Sequence, residues 1–267
     1  MAETFDAIVV GAGSAGAVVA ARLSENPARR VLLLEAGPPD DSIWIHIPIG
    51  YAKLFTDARH NWLYKTEPEP GLDNRRIIAP RGKTLGGSSA INGLLYIRGQ
   101  RQDFDSWRQM GNAGWSFDDV LPFFRKGEDY CLGSDDYHGA GGALGVSEVP
   151  RHPLCEAMIE SCEALGIPRN DDFNGARQEG AGYFHTTTRK GRRCSTAVGY
   201  LTPAVRVRPN LSIETEALAT KLLLEGRRAV GVAYDHRGMV KEARAAEIVL
   251  CGGAFNSPQL LQLSGIG

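Results

Sequence analysis

Three closely spaced glycines and one acid near the amino terminus are the residues whose pattern indicates ligand chemistry. Gly11, Gly13 and Gly16 form a GxGxxG turn between an apolar run and a helical stretch, and Glu35 ends the next apolar run. The first glycine permits a tight bend, the second lets a diphosphate approach the backbone, and the third allows the helix to pack closely on the strand. Glu35 is placed to accept hydrogen bonds from ribose hydroxyls, which favours NAD or FAD over a 2′-phosphorylated nucleotide.

A second glycine-rich segment, residues 80–99, is also suited to a ligand. Side chains are nearly absent from Gly86 to Ala90, so a flat or phosphorylated group can lie against the backbone there. Successive N–H groups and the hydroxyls of Ser88 and Ser89 would make an anion-binding turn. A flexible linker is disfavoured, because the glycines are flanked by apolar residues that require burial, namely Leu85, Ile91, Leu94, Leu95 and Ile97.

The elements that must position these loops are predicted from apolar periodicity. Residues 8–10 and 31–34 are expected to form buried parallel strands joined by the helix that follows the first turn. Residues 218–225 and 229–234 are typical of a hairpin. Residues 247–255 predict another buried strand that ends in glycines. The pattern therefore indicates an α/β protein with a Rossmann-like domain.

Three helices are predicted in the middle of the chain. One covers residues 104–109, and a second begins after Ser116. Asp118 and Asp119 at that second start are interpreted as capping and dipole partners rather than as an acid–base pair. A third helix covers residues 154–165. Its expected apolar face consists of Leu154, Met158, Ile159, Cys162 and Leu165.

Composition excludes several functions. The net charge is -1, so no global field attracts nucleic acid, and the basic cluster at 189–193 is interpreted as a solvated loop. No apolar run approaches the ~20 residues that a membrane span needs. His138 has no His, Cys or acid at ligand spacing, so no metal site is predicted.

The cysteines and the amino terminus indicate the compartment. The chain has 5 cysteines and no CxxC pair, which is typical of free thiols in a reducing environment. The first residues lack the basic and apolar pattern of a secretion signal. We therefore expect a cytoplasmic location.

Two long segments, taken together with the first turn, resemble a known family. They read GKTLGGSSAINGLLYIRGQRQDFD at 82–105 and GAFNSPQLLQLSGIG at 253–267, with GAGSAGAVVAARLSE at 11–25 and LLLEAGP at 32–38 before them. In this order they resemble the signatures of the glucose–methanol–choline (GMC) oxidoreductases, which are FAD-dependent alcohol dehydrogenases and oxidases. The bacterial choline-dehydrogenase-like and alcohol-dehydrogenase-like branch is the most similar.

The resemblance implies a set of FAD contacts. The first turn would hold the diphosphate, Glu35 the adenosine ribose, and the second glycine segment the flavin or its ribityl chain. Ala219 matches a strand that meets the adenine in the family, and two residues after the late strand would close over the cofactor. Trp62 is expected to pack near the nucleotide. The implied binding residues are Gly11, Gly13, Ser14, Ala15, Gly16, Glu35, Gly82, Lys83, Gly87, Asn92, Gly93, Leu94, Ala219, Gly253 and Ala254.

Two departures from the family pattern affect the chemistry. Some members attach FAD through a histidine at the position that Ile91 occupies here, so the resemblance implies non-covalent FAD. Family members are also considerably longer, and their catalytic histidine, with its partner histidine or asparagine, falls beyond Gly267. None of the 6 histidines matches that motif, so no catalytic residue is named; they are His46, His60, His138, His152, His185 and His236.

The resemblance implies that the parent protein oxidises a small alcohol and passes electrons from FAD to oxygen, a quinone or another carrier. It also implies a discontinuous FAD domain at 1–145 and 191–267, with 146–190 on the substrate side. Three alternatives stay open: a hydroxynitrile-lyase-like member that uses FAD structurally, a truncated fragment that binds flavin without turnover, and an NAD-dependent dehydrogenase.

Overall fold

The computed structural model describes residues 3–267, which divide into two compact units. Unit 1 comprises residues 3–93 and Ser195–Gly267, and unit 2 is Leu94–Cys194. Residues 94–145 belong to unit 2, in which Leu95 pairs with Thr186 and Glu128 with Leu144. The FAD-domain segments 1–145 and 191–267 stay a prediction.

A six-stranded sheet forms the centre of unit 1. Its strands are β1 Glu3–Val10, β2 Val31–Leu34, β11 Leu211–Glu214, β12 Ala217–Glu225, β13 Arg228–His236 and β14 Met239–Leu250. Among the described residues their order across the sheet is β11-β2-β1-β14-β13-β12. The four strands β11, β2, β1 and β14 are parallel to one another, whereas β13 is antiparallel to both of its neighbours, β14 and β12. This arrangement confirms the α/β prediction, the parallel strands and the hairpin.

Alternate residues of the central strands face two apolar layers. Ile8 and Leu32 pack on one face with Leu260 of the last helix. Val9 and Leu33 pack on the other face with alanines of the first helix. Because both faces are covered, these strands are continuous apolar runs rather than alternating ones.

The remaining elements of unit 1 are short, apart from its first and last helices. Two-residue strands β3 (Tyr64–Lys65) and β4 (Ile78–Ala79) form a ribbon. The α-helices are α1 Gly16–Leu23, α2 Ile43–His46, α3 Tyr51–Leu54, α4 Ser88–Ile91, α8 Thr196–Tyr200, α9 Pro203–Arg206 and α10 Gly253–Leu263. Short 3₁₀ turns cover Pro48–Gly50 and Pro70–Leu72.

Unit 2 is built from three helices and short paired strands. The helices are α5 Arg101–Gln109, α6 Phe117–Gly127 and α7 Pro153–Ala164. The strands are β5 Leu95–Tyr96, β6 Glu128–Tyr130, β7 Leu144–Val146, β8 His185–Thr186, β9 Thr188–Arg189 and β10 Arg192–Arg193. All three helices predicted for this region are present. No helix within residues 3–267 has both the length and the apolar character to cross a membrane.

The start of α6 confirms the capping interpretation. The Ser116 hydroxyl accepts a hydrogen bond from the backbone N–H of Asp119, and the Asp119 carboxylate accepts one from the N–H of Ser116 at 3.0 Å. Asp118 instead pairs with Arg101 at 2.8 Å on the surface. Neither carboxylate is arranged with the other as an acid–base pair.

The apolar face predicted for α7 is wrong in part. Ile159 is buried, but Leu154, Met158 and Leu165 are 75%, 71% and 82% exposed. Helical spacing identifies residues that share a face, but it does not say whether a neighbouring element covers that face.

A buried charged network lies in the interior of unit 2. The Glu128 carboxylate accepts hydrogen bonds from Arg98 at 2.8 Å and from the N–H of Gly139 at 2.9 Å. His138 lies between Glu128, at 3.2 Å, and Asp172, at 3.0 Å. Burial disfavours the imidazolium, but hydrogen bonds to Asp172 and Glu128 raise the pKa of His138 to about 9. The imidazolium therefore joins two acidic segments that are distant in sequence.

Candidate functional site

Three loops meet where the central parallel strands end. Gly11 follows β1, Glu35 follows β2 and Cys251 follows β14. The N–H of Gly11 donates to the carbonyl of Leu34 at 2.8 Å, and the N–H of Cys251 donates to that of Val10 at 2.7 Å. The carboxyl edge of a parallel sheet is where open α/β proteins bind ligands, so these loops form the candidate site.

The first glycine turn has the crowding that its sequence predicts. Gly11 has a φ of +95°, and a Cβ atom there would lie 2.6 Å from the carbonyl oxygen of Cys251. A Cβ on Gly16 would lie 1.8 Å from the carbonyl oxygen of Gly11. Gly16 therefore allows α1 to begin directly against the end of β1, and it is buried rather than turned towards a ligand.

The second glycine loop lies against the first. The N–H of Gly86 donates to the carbonyl of Ala12 at 2.8 Å. Gly87 has a φ of +50°, and a Cβ there would lie 2.6 Å from the Cα of Gly13. On the other side, a Cβ on Gly82 would lie 2.1 Å from the carbonyl oxygen of Gly87. Bare main chain from both loops thus forms one continuous surface.

Glu35 is held in one orientation by the backbone. Its Oε2 accepts from the N–H of Ala12, and its Oε1 accepts from that of Gly37, both at 2.9 Å. The residue is only 5% exposed. Burial raises its pKa to about 7, against the lowering effects of the two N–H groups and of the Lys83 charge. The carboxyl is therefore poised to change its ionisation close to neutral pH.

A cavity of about 700 Å³ opens between these loops inside unit 1. Its volume lies within the range of ~300–1,000 Å³ that is usual for small-molecule and cofactor sites. The sequence-predicted residues that line it are Gly11, Gly13, Ser14, Ala15, Glu35, Gly82, Gly87, Ala219, Gly253 and Ala254.

Five of the sequence-predicted residues are outside the cavity wall. Gly16 is buried behind it, and Lys83 places its Nζ 4.9 Å from the centre of the Trp62 ring. Asn92 directly follows α4 and Gly93 is exposed, while Leu94 is the first residue of unit 2. The structure thus brings most of the predicted set together, and the end of the first signature runs on towards unit 2.

An aromatic wall that sequence reasoning largely missed completes the cavity. Trp62, Arg81 and Phe255 line it. The Arg81 guanidinium lies 4.6 Å over the Phe255 ring, and the Trp62 ring stacks on Tyr64 at 5.8 Å. The Tyr64 hydroxyl donates to Asn256 at 2.6 Å, which ties the β3 ribbon to α10. Arg81 directly precedes Gly82 of the first signature, and Phe255 lies within the second. This closeness in sequence could have identified both residues as candidates for the cavity wall.

The residues of the cavity fit a dinucleotide. Helix α1 has no side-chain cap, so no side chain neutralises the positive end of its dipole, which favours a diphosphate. Among the first three N–H groups of the helix, only that of Ala17 is seen to donate to the backbone, to the carbonyl of Gly13 at 3.1 Å. Glu35 provides an acceptor for ribose hydroxyls at the end of β2. A Cβ on Gly87 would lie 2.6 Å from the Cα of Gly13, so the two loops can meet only if residue 87 has no side chain, whereas a Cβ on Gly13 would lie at an ordinary contact distance of 3.7 Å from Gly87.

Comparisons with known proteins agree with this geometry. The model of the GMC oxidoreductase family matches residues 5–267. The human mitochondrial choline dehydrogenase is 46% identical and the oxygen-dependent choline dehydrogenase of Pseudomonas syringae pv. tomato 49% identical. These matches cover 99% and 98% of this chain but 46% and 48% of the relatives. The chain therefore spans about half the length of the curated relatives it matches.

A solved structure shows the same fold. The pyridoxine 4-oxidase from Mesorbium loti superposes with a TM-score of 0.94 at 39% identity, over 98% of this chain and 52% of the oxidase. From its cavity, its two signatures and the family model that spans it, the chain belongs to the GMC oxidoreductase family.

Proposed function

We propose that the cavity of unit 1 binds FAD non-covalently and that the protein oxidises the CH–OH group of a small alcohol. The observation that carries this proposal is the contact between two glycine loops beside the buried Glu35, in a chain that the GMC family model spans. When bound, FAD supplies the acceptor for the hydride that leaves the alcohol carbon. Choline is the first substrate to test, because choline dehydrogenases are among the curated relatives.

The residues of this chain bind and orient the cofactor in this proposal. The N–H groups at the start of α1 hold the diphosphate, and ionised Glu35 accepts from the adenosine ribose. Gly13 and Gly87 line the cavity, so the ligand can lie directly against their backbone with no side chain between. We assign no catalytic base, since none of the histidines of this chain matches the family motif.

The surroundings of Ile91 support the proposal of non-covalent binding. That side chain is 2% exposed and packs with Ile45, Leu54 and Ala90, so an aliphatic residue fills the position where some relatives carry a linking histidine. The purified chain should be yellow, and unfolding followed by ultrafiltration should release all of its flavin. Flavin that stays with the unfolded chain would contradict this assignment.

Substrate oxidation has a separate test. Anaerobic addition of choline, or of a panel of primary alcohols, should bleach the flavin absorbance of the protein if it is an oxidoreductase. A lyase that uses FAD structurally would cleave hydroxynitriles without bleaching. A chain that binds FAD but neither bleaches nor cleaves is a flavin-binding fragment. Reoxidation by oxygen compared with a soluble quinone then identifies the electron acceptor.

Two further assignments belong to this proposal. Residues 146–190, which lie entirely within unit 2, are proposed to contribute to the substrate side. Slower amide hydrogen exchange in this segment when an alcohol is added would support that role. A cytoplasmic location is proposed because all five cysteines are unpaired in the described structure. Cell fractionation would test it, since the human relative is named as mitochondrial.

A further inference from the structure

A pair of hydroxyl side chains lies directly behind the two glycine loops of unit 1. The Ser89 hydroxyl donates to the carbonyl of Gly86 at 2.6 Å and accepts from the backbone N–H of Thr196 at 3.0 Å. The Thr196 hydroxyl lies 3.0 Å from the Ser89 oxygen and 3.4 Å from the carbonyl of Gly13. The pair therefore contacts one carbonyl of each glycine loop.

The direction of these hydrogen bonds follows from proton counting. A serine hydroxyl has one hydrogen, and the 2.6 Å contact with the Gly86 carbonyl, which can only accept, assigns that hydrogen to it. Thr196 must then be the donor of the 3.0 Å contact between the two hydroxyls, and its single hydrogen is shared between the Ser89 oxygen and the Gly13 carbonyl at 3.4 Å. Ser89 thus accepts twice from Thr196 while it holds the Gly86 carbonyl, and its hydroxyl is not free to bind an anion as the sequence suggested.

The Thr196 hydroxyl is not needed to begin its own helix. Ser195 already caps α8, because its hydroxyl accepts from the N–H of Val198 at 3.2 Å. Thr196 is 8% exposed, and its side chain is directed to Ser89 and Gly13 instead. Two neighbouring hydroxyls therefore have different partners, one within α8 and one at the glycine loops.

The two hydroxyl residues come from chain segments that are far apart in sequence. The chain leaves unit 1 after Gly93 and returns at Ser195, so Ser89 and Thr196 stand close to the two ends of an inserted unit. Among the described residues, no disulfide joins those two ends. Gly86 and Gly87 also have φ values of +87° and +50°, and glycine has a large conformational freedom to lose on folding.

We propose that Ser89 and Thr196 are positioning residues, a hydroxyl staple that holds the Gly86–Gly87 loop against Gly13 and so preorganises the diphosphate and flavin surface. This inference rests on the FAD binding proposed above. The staple touches the loops and acts on the cofactor through them. Its loss should leave the fold intact and weaken FAD binding, because the loops must then be ordered at the expense of binding free energy.

The experiment compares four variants of the 267-residue chain, S89A, T196V, T196S and S195A. FAD affinity is measured by quenching of FAD fluorescence, and amide hydrogen exchange is followed at residues 12–16 and 86–90 with and without FAD. One hydrogen bond corresponds to an effect of about three- to tenfold on Kd. We expect S89A and T196V to raise Kd by that factor and to speed exchange in both segments, while T196S restores both values.

The neighbouring hydroxyl provides the matched control. S195A removes the cap of α8, so it should lower the melting temperature while changing Kd less than twofold. Unchanged Kd and exchange in both S89A and T196V would overturn the staple, as would an equal effect of S195A. If S89A does not fold, T196V and its serine rescue still decide the outcome. If the wild-type chain binds no FAD, the proposed function fails, and exchange at 86–90 alone decides the staple.

Discussion

Glu35 should make the stability of the flavin-free chain depend on pH in an unusual direction. Most carboxyls of folded proteins have lowered pKa values and stabilise the fold as pH rises, whereas burial raises the pKa of Glu35 from 4.5 to about 7. Between these two values the folded state keeps a proton that the unfolded state has lost. Raising the pH through this window therefore favours unfolding.

The size of the effect follows from the same two values. The interval from 4.5 to about 7 corresponds, at ~1.4 kcal/mol per pH unit, to on the order of 3 kcal/mol. The contribution of Glu35 is greatest below pH 4.5 and is lost as the pH rises to about 7. A glutamine at this position cannot ionise, although its single carbonyl oxygen satisfies only one of the N–H groups of Ala12 and Gly37.

Urea unfolding of the flavin-free wild type and of E35Q, at several pH values from 5 to 8, measures the effect. Other titrating groups are common to both proteins and cancel in the difference between their unfolding free energies. We expect the wild type to lose stability relative to E35Q as the pH rises. The control E160Q changes an exposed glutamate and should follow the wild type. Parallel curves for wild type and E35Q would refute the reasoning.

Three further outcomes are expected. G87A should lower the free energy of unfolding by roughly 3 kcal/mol, since the new Cβ adds a clash with Gly13 to a positive φ. The control G111A, where φ is +101° and no atom of the described residues lies near the new Cβ, should lower it by about 1 kcal/mol. Equal urea midpoints for the two variants would contradict this. H138Q should lower thermal stability most below pH 6.5, with the deficit shrinking as the pH rises to about 9, and a deficit independent of pH would count against the imidazolium. Adding FAD should slow amide exchange at residues 11–16 and 86–90, and protection confined to unit 2 would move the site elsewhere.

The hydrophobic pattern of the sequence predicts most of the strands of unit 1. Continuous apolar runs at 8–10 and 31–34 predicted strands covered on both faces, and the structure places them side by side in a parallel sheet. The hairpin could be predicted equally well, because period and turn residues are local properties. The late strand was predicted only in part, since β14 ends at Leu250 and α10 begins at Gly253. The division into two compact units could not be predicted from local pattern, since it depends on pairing between residues distant in sequence, such as Leu95 and Thr186.

Some residues of the candidate site could be predicted from the sequence and others could not. Gly11, Gly13 and Glu35 could be assigned from spacing alone, because a backbone turn and the end of a strand impose those residue types. Arg81 and Phe255 could not be assigned, because nothing local shows that they face the same cavity. The α7 face was likewise undecided by periodicity, which says nothing about which surfaces are covered.

Residue order alone therefore determined the strands, the glycine turns, the family resemblance and the expectation of a dinucleotide. Only the tertiary structure decided which loops touch, that Ser89 turns towards Thr196, and that His138 lies between two carboxylates. The physical reason is that local pattern reflects backbone conformation and the period of burial. Hydrogen bonds and ionisation depend instead on which distant groups share a dry interior.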